Sequence, residues 1–267
     1  MKIKDALPHI FQRAYPAIDP KTPMLSALSL LRFHEIDALP LSFDAETKHR
    51  AIFGFSCLAR LMKPGPRGLP GFLEEPCEKA SEPIATIQAT RTLASLLDRF
   101  AKTQFGFARV EEKSGVGALV GLSEILGLFS EGVLETELEV KDVASPIFSV
   151  PGSTPVKEVL SEMFGKRFRR VFISGTREFV WDRSIIDQVF SPAVLGTVTK
   201  DSGAILGAPI SEFRTTAALD VSPDATLKDA AGALTADKGQ CLAFKGMLVT
   251  PWDVVIKPWQ ARALKAM

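Results

Sequence analysis

Four times along this chain a short apolar run ends in an abrupt helix start, and that recurrence limits what the chain can fold into. The sharpest copy is Lys245-Gly246-Met247-Leu248-Val249-Thr250-Pro251-Trp252-Asp253-Val254-Val255. Lys245-Gly246 reads as a hairpin turn and Met247 to Val249 as a buried strand. Thr250-Pro251 then opens a helix, with proline at the first helical position. Aligned on this copy are Ala51 to Leu58, Ala118 to Ile125 and Glu178 to Ile185. The anchors that match Asp253 are Cys57, Glu124 and Ser184, and successive anchors lie 67, 60 and 69 residues apart. A period of this size marks a repeat protein, in which each unit buries its apolar face against a neighbour.

Around each anchor the order strand, helix, strand, strand, helix recurs. In the fourth repeat, Leu227, Ala230, Ala231 and Leu234 fall at i, i+3, i+4, i+7, which predicts a helix over Leu227 to Ala236 capped by Asp224 or Thr226. Two apolar runs, 241–244 and 247–249, flank the Lys245-Gly246 turn, and a short strand is expected at 217–221. The third repeat carries a strand at 147–150, a helix opening at Thr154-Pro155, a hairpin about Ser174-Gly175, and a helix from Arg183 to Phe190. The second has helices at 91–100 and 123–129 around strands at 105–110 and 117–120. The first has helices at 24–33 and 56–62 around strands at 38–42 and 50–53. Residues 63–71, rich in proline and glycine, read as an irregular linker, and a strand is expected at Gly196 to Thr199. Pairing neighbours along the chain gives two modules. Residues 1–135 hold repeats at about 1–63 and 80–135, and residues 136–267 hold repeats at about 138–192 and 205–260. The expected fold class is α/β (α+β).

Thirty-two Lys and Arg against thirty-one Asp and Glu leave a net charge of +1, so no global excess of positive charge points to nucleic acid or an anionic membrane. Three dispersed cysteines give neither a disulfide framework nor a zinc site and fit a reducing cytoplasm. His34, Glu35 and Asp37 lack metal-ligand spacing. There is no apolar run long enough to span a membrane, no signal peptide, no Walker loop and no nucleophile elbow, so no enzyme is expected.

This unit order, with Leu39-Pro40-Leu41 in the first repeat and Leu248 to Val255 in the fourth, resembles the cystathionine-beta-synthase (CBS) domain, and four in tandem resemble two Bateman modules. The resemblance covers nearly the whole chain. It implies paired units that bind AMP, ADP, ATP or S-adenosylmethionine in clefts between them, possible assembly into a flat disk or a homodimer, and no required cofactor. The family's Thr/Ser-x-x-Asp pattern matches Thr250 and Asp253, so the resemblance assigns Asp253 to the ribose hydroxyls and Thr250 to the neighbourhood of the phosphate. A carboxylate suits a vicinal diol, and a helix N-terminus suits a phosphate. Glu124 stands at the same place with Gly121 in the threonine position. Cys57 and Ser184 leave the other two repeats without an acid, hence degenerate. Arg169 and Arg170, in the run Lys166-Arg167-Phe168-Arg169-Arg170, and Lys238 are the implied phosphate cations.

Each residue also has a plainer reading. Thr250-x-x-Asp253 is a good helix capping box, Glu124 can cap in the same way, and the arginine run can be a solvated face. The expected function is a non-catalytic sensor of adenine nucleotides that signals to a separate protein partner. An interaction scaffold that binds nothing is the alternative, followed by a nucleic-acid-binding regulator using residues 166–170.

Overall fold

Each repeat folds into the same small unit. The computed structural model describes all residues except 13–15, 35, 43–48, 64–66, 116, 237–239 and 267. The repeat helices are α1 (Met24–Phe33) and α2 (Gly54–Met62) in the first repeat, and α3 (Leu93–Thr103) and α4 (Leu122–Ser130) in the second. They are α5 (Val156–Lys166) and α6 (Asp182–Val189) in the third, and α7 (Leu227–Ala236) and α8 (Pro251–Gln260) in the fourth. Between each pair lies an antiparallel hairpin. The hairpins are β1 (Ala38–Pro40) with β2 (Arg50–Phe53), β3 (Phe107–Glu111) with β4 (Gly117–Gly121), β5 (Arg170–Ile173) with β6 (Glu178–Trp181), and β7 (Leu242–Phe244) with β8 (Met247–Val249). A lead-in segment pairs parallel with the first strand of every hairpin: Ile18 with Leu41 beside β1, Thr86–Gln88 with β3, Ser149–Val150 with β5, and Leu219–Asp220 with β7. A parallel return needs a crossover, and the first helix of each repeat supplies it.

Local chemistry accounts for the boundaries. Thr226 caps α7, its hydroxyl accepting from Asp229 N at 3.1 Å, and Thr92 caps α3 through Ser95 N at 3.2 Å. The β7–β8 turn places Lys245 at φ 44° and Gly246 at φ 79°, the two positive values that a tight hairpin turn demands. Pro251 occupies the first position of α8 after Thr250. In α5, by contrast, proline sits one place earlier than the sequence implies, since Pro155 is the N-cap.

The compact bodies interleave along the chain, which corrects the contiguous division into 1–135 and 136–267. The first body contains Met1–Tyr15, Ile84–Ile147 and Ala218–Met267, hence the second and fourth repeats. The second contains Pro16–Pro83 and Phe148–Ala217, hence the first and third. The physical reason is helix packing. In the first body α4 lies against α7 and α8 over a core that includes Phe100, Leu128, Phe129, Leu234 and Val254. In the second, α2 lies against α5 and α6 over Leu28, Ile52, Leu58, Leu160 and Ile185. Fully burying each such side chain contributes about 1.5–3 kcal/mol, so the helix faces decide which repeats share a core. Sheet edges are closed by short strands that come just ahead of the next repeat. Glu82–Pro83 pairs with β2 and Thr216–Ala217 with β6, while Ser145–Pro146 pairs with β8.

Two linker readings are also corrected. Residues Gly68–Glu74 form a helix that buries Leu69, Phe72 and Leu73 in the second core. The strand expected at Gly196 to Thr199 lies inside the helix Pro192–Lys200, whose Val194 and Leu195 pack on that same core. In the first case tertiary burial of a few apolar side chains outweighs the local preference of proline and glycine for irregular chain, and in the second it outweighs the strand preference of the Thr197-Val198-Thr199 run. No described helix is long and apolar enough to cross a membrane.

Candidate functional site

Three of the four anchor residues do one job in common. Glu124, Ser184 and Asp253 each stand third in the second helix of their repeat, and each side chain accepts the N–H of the residue three places earlier; Cys57 stands fourth in α2, where Ser56 holds the matching place. Glu124 Oε2 takes Gly121 N at 2.7 Å, Ser184 Oγ takes Trp181 N at 3.2 Å, and Asp253 Oδ2 takes Thr250 N at 2.8 Å. These are helix caps, satisfying a backbone donor that the helix itself leaves unpaired.

Asp253 does more than cap. It is 4% exposed. Its Oδ2 also accepts from the Thr250 hydroxyl at 2.6 Å. Its Oδ1 accepts from Ser145 Oγ at 2.9 Å and pairs with Lys257 Nζ at 2.8 Å. The Lys257 ammonium donates in turn to Ser145 Oγ at 2.8 Å and to the Val143 carbonyl. A carboxylate offers about four acceptor sites, and here four donors fill them. The sequence-predicted pair Thr250 and Asp253 is thus brought together, but as a closed network. Ser145 and Lys257 are the members that sequence reasoning missed. The i, i+4 spacing of Asp253 and Lys257 is a readable signal; Ser145, 108 positions away, carries none.

Arg169 and Arg170 sit in the second body, at the start of β5. The Arg169 guanidinium meets two carboxylates, with Nε and Nη2 at 2.8 and 2.7 Å from Asp182 Oδ2, and Nη1 and Nη2 each 3.1 Å from Asp37. Arg169 is therefore not an uncommitted phosphate cation but the centre of an ion triad. Arg170 lies over the aromatic faces of Trp181 and Phe179, its guanidinium carbon 5.8 and 6.0 Å from the ring centres. Lys166 pairs with Glu162 at 2.8 Å and lies over Phe148, so much of the basic run is answered internally. Lys238 lies outside the described residues.

Burial raises the Asp182 carboxyl above its ordinary 3.8, and Arg169 opposes this only in part. Burial acts the same way on Asp37, but the charge and hydrogen bonds of Arg169 outweigh it and hold that carboxyl below 3.8; the Asp37 side chain is 40% exposed, which favours the downward direction. A carboxyl raised by folding binds its proton more tightly folded than unfolded, so its contribution to stability grows as pH falls through the raised value. Wild type is accordingly expected to gain stability relative to Asp182→Asn as pH drops from neutrality towards the ordinary 3.8. Urea midpoints of the two proteins measured across that range give the check, and a constant gap contradicts the assignment.

The first repeat, which has no anchor acid, carries an open cavity of about 130 Å³ lined by Ser56, Cys57, Arg60, Lys79, Ser81 and Glu82. It stands at the start of α2, where the matching place in the fourth repeat is filled by the Asp253 network. Cys57 faces it with a thiol that burial pushes up to about 12, so it is a neutral wall. The carboxylate missing from position 57 is present in the cavity as Glu82, from the pairing strand. A search restricted to the anchor position passes it over. Arg50 fixes this wall, its Nε donating to Ser81 Oγ at 2.7 Å.

No family model and no curated protein matches this chain. Solved structures do. A protein of Methanocaldococcus jannaschii, described as a proposed archaeal homolog of g-AMPK, superposes with a TM-score of 0.80 at 13% identity, covering 96% of this chain and 99% of that one. An uncharacterized conserved protein of Pyrococcus horikoshii matches with a TM-score of 0.50 at 14% identity, covering 82% and 89%. A CBS domain protein of Pyrobaculum aerophilum, complexed with AMP, matches 46% of this chain and 89% of its own with a TM-score of 0.38 at 9% identity. Together with the four matching strand–helix–hairpin–helix units, the full-length superposition gives this chain the fold of a protein with four CBS units.

Proposed function

We propose that this chain is a non-catalytic regulatory protein that binds an adenosine ligand, AMP, ADP, ATP or S-adenosylmethionine, and passes the bound state to a separate protein partner. The observation that carries the reading is the Asp253 cluster at the start of α8: an oriented carboxylate, two hydroxyls and an ammonium beside a helix N-terminus. The vicinal diol of a ribose replaces Ser145 and Lys257 at Oδ1, exchanging hydrogen bonds one for one at little net cost. Lys257, released from Oδ1, keeps Val143 O and gains a role towards the ligand's negative charge. Because the resting network must open, the ligand selects one arrangement of the edge strand Ser145–Pro146 over another, and differential affinity for two arrangements is what a sensor requires. Glu124 and the Arg60 and Lys79 cavity of the first repeat are the further places for such a ligand. Thr250 supports Asp253, and Arg169 and Arg170 take no phosphate while their carboxylate and aromatic partners hold them.

A specific observation favours a second reading. All acceptor positions of Asp253 are already filled, which suits a scaffold that binds no nucleotide and uses the cluster as a structural tie. Titration calorimetry separates the two. Wild type is expected to bind at least one of the four ligands at micromolar level, with the affinity falling at least about tenfold, or 1.4 kcal/mol, in Asp253→Asn. No heat from any of the four with folded wild type, or unchanged binding in the variant, overturns the sensor site and leaves the scaffold.

A further inference from the structure

The second body contains a small pocket that neither the nucleotide reading nor the capping network uses. It lies between α1 and α6, and Arg32, Asp37, Arg169, Asp182, Arg183 and Asp187 contribute its charged walls. Two atoms there are buried and have no hydrogen-bond partner among the described residues: Arg32 Nε and Asp182 Oδ1. Asp182 is 0% exposed. One further atom of each group is committed. Arg32 Nη1 donates to the Phe190 carbonyl at 2.8 Å, and Asp182 Oδ2 is held by Arg169. Two further approaches in the pocket fall short of direct hydrogen bonds, Asp187 Oδ1 at 3.7 Å from Arg32 Nε and Asp187 Oδ2 at 3.9 Å from Arg183 Nε.

We infer that Arg32 Nε and Asp182 Oδ1 are the two poles of a binding site for a single water molecule, which accepts from the guanidinium and donates to the carboxylate. The chemistry selects a neutral occupant. An anion is repelled by the Asp182 carboxylate and a cation by Arg32, whereas water presents an acceptor and a donor at once. The space selects its size: the pocket has room for a molecular centre of about 10 Å³, close to the roughly 10–15 Å³ that one water needs. Each unmatched buried polar atom is costly, and one molecule removes both costs. Asp187 lies within reach of the same water, which accounts for approaches too long for direct contact. The bridge is a polar joint between α1 of the first repeat and α6 of the third.

A crystal structure of the wild-type protein at about 1.6 Å tests this. The expected result is an ordered water within roughly 2.6–3.2 Å of both Arg32 Nε and Asp182 Oδ1. Density without that water, or Arg32 Nε and Asp182 Oδ1 each bonded to protein instead, overturns the inference. The same crystals of Arg32→Met are expected to lose the water while Phe190 and Asp187 keep their places. A water that persists there unchanged shows that Asp182 alone holds it and overturns the bridge. Because the wild-type map decides by itself, a variant that fails to fold does not protect the proposal.

Discussion

Replacing Arg169 with methionine is expected to destabilise the second body by about 3 kcal/mol, the lower end of what breaking a buried ion pair costs. The reason is Asp182. With no exposed surface, it loses the two N–H donors that hold its Oδ2 and becomes an uncompensated buried charge. Asp37 loses less, since water reaches 40% of its side chain, and the partial exposure of Arg169 itself keeps the loss at the lower end. Urea unfolding followed by intrinsic fluorescence measures the loss. Arg169→Met combined with Asp182→Leu is expected to recover most of it, because removing both members of a buried pair is often near neutral. A single variant as stable as wild type, or a double variant no better than the single, contradicts the triad as described.

Asp253→Ala should have a comparable effect in the first body, about 3 kcal/mol. It combines loss of a helix cap, about 0.5–2 kcal/mol, with an ammonium at Lys257 left without its carboxylate. Asp253→Asn keeps one carbonyl oxygen for the Thr250 N–H and is expected to cost about 1 kcal/mol, which is why it is the better variant for ligand titration. Lys257→Met gives the complementary measurement. If the ion pair matters beyond the cap, Asp253→Ala and Lys257→Met will be markedly non-additive in a double-mutant cycle. Strict additivity would reduce Asp253 to a cap.

The repeat was legible because periodicity is local. The helices at 24–33 and 227–236 and the hairpin turn at Lys245-Gly246 follow from apolar spacing and from a glycine that tolerates positive φ, and the structure places them there. The candidate site was legible only in part. Thr250 and Asp253 are three positions apart and meet as the spacing requires. What closes around them does not lie nearby in sequence: Ser145 is 108 positions from Asp253, and Asp37 is 132 positions from Arg169. A search for cations near a phosphate site finds Arg169 readily but cannot see that two carboxylates already answer it. The same distance effect hid the grouping of repeats, since helix faces that share a core are contributed by repeats that are not consecutive.

The alternation of segments between the two bodies bears on how the chain is made. A ribosome releases the sequence in order, so the second body can close its core once residue 217 has emerged, whereas the first must hold Met1–Tyr15 and Ile84–Ile147 in waiting until Ala218–Met267 arrives. Contacts of such long sequence separation slow folding and leave apolar helix faces uncovered in the interval. For the same reason the gene does not divide at its midpoint. Fragments 1–135 and 136–267 would each hold half of either core, and they would regain structure only by complementing one another.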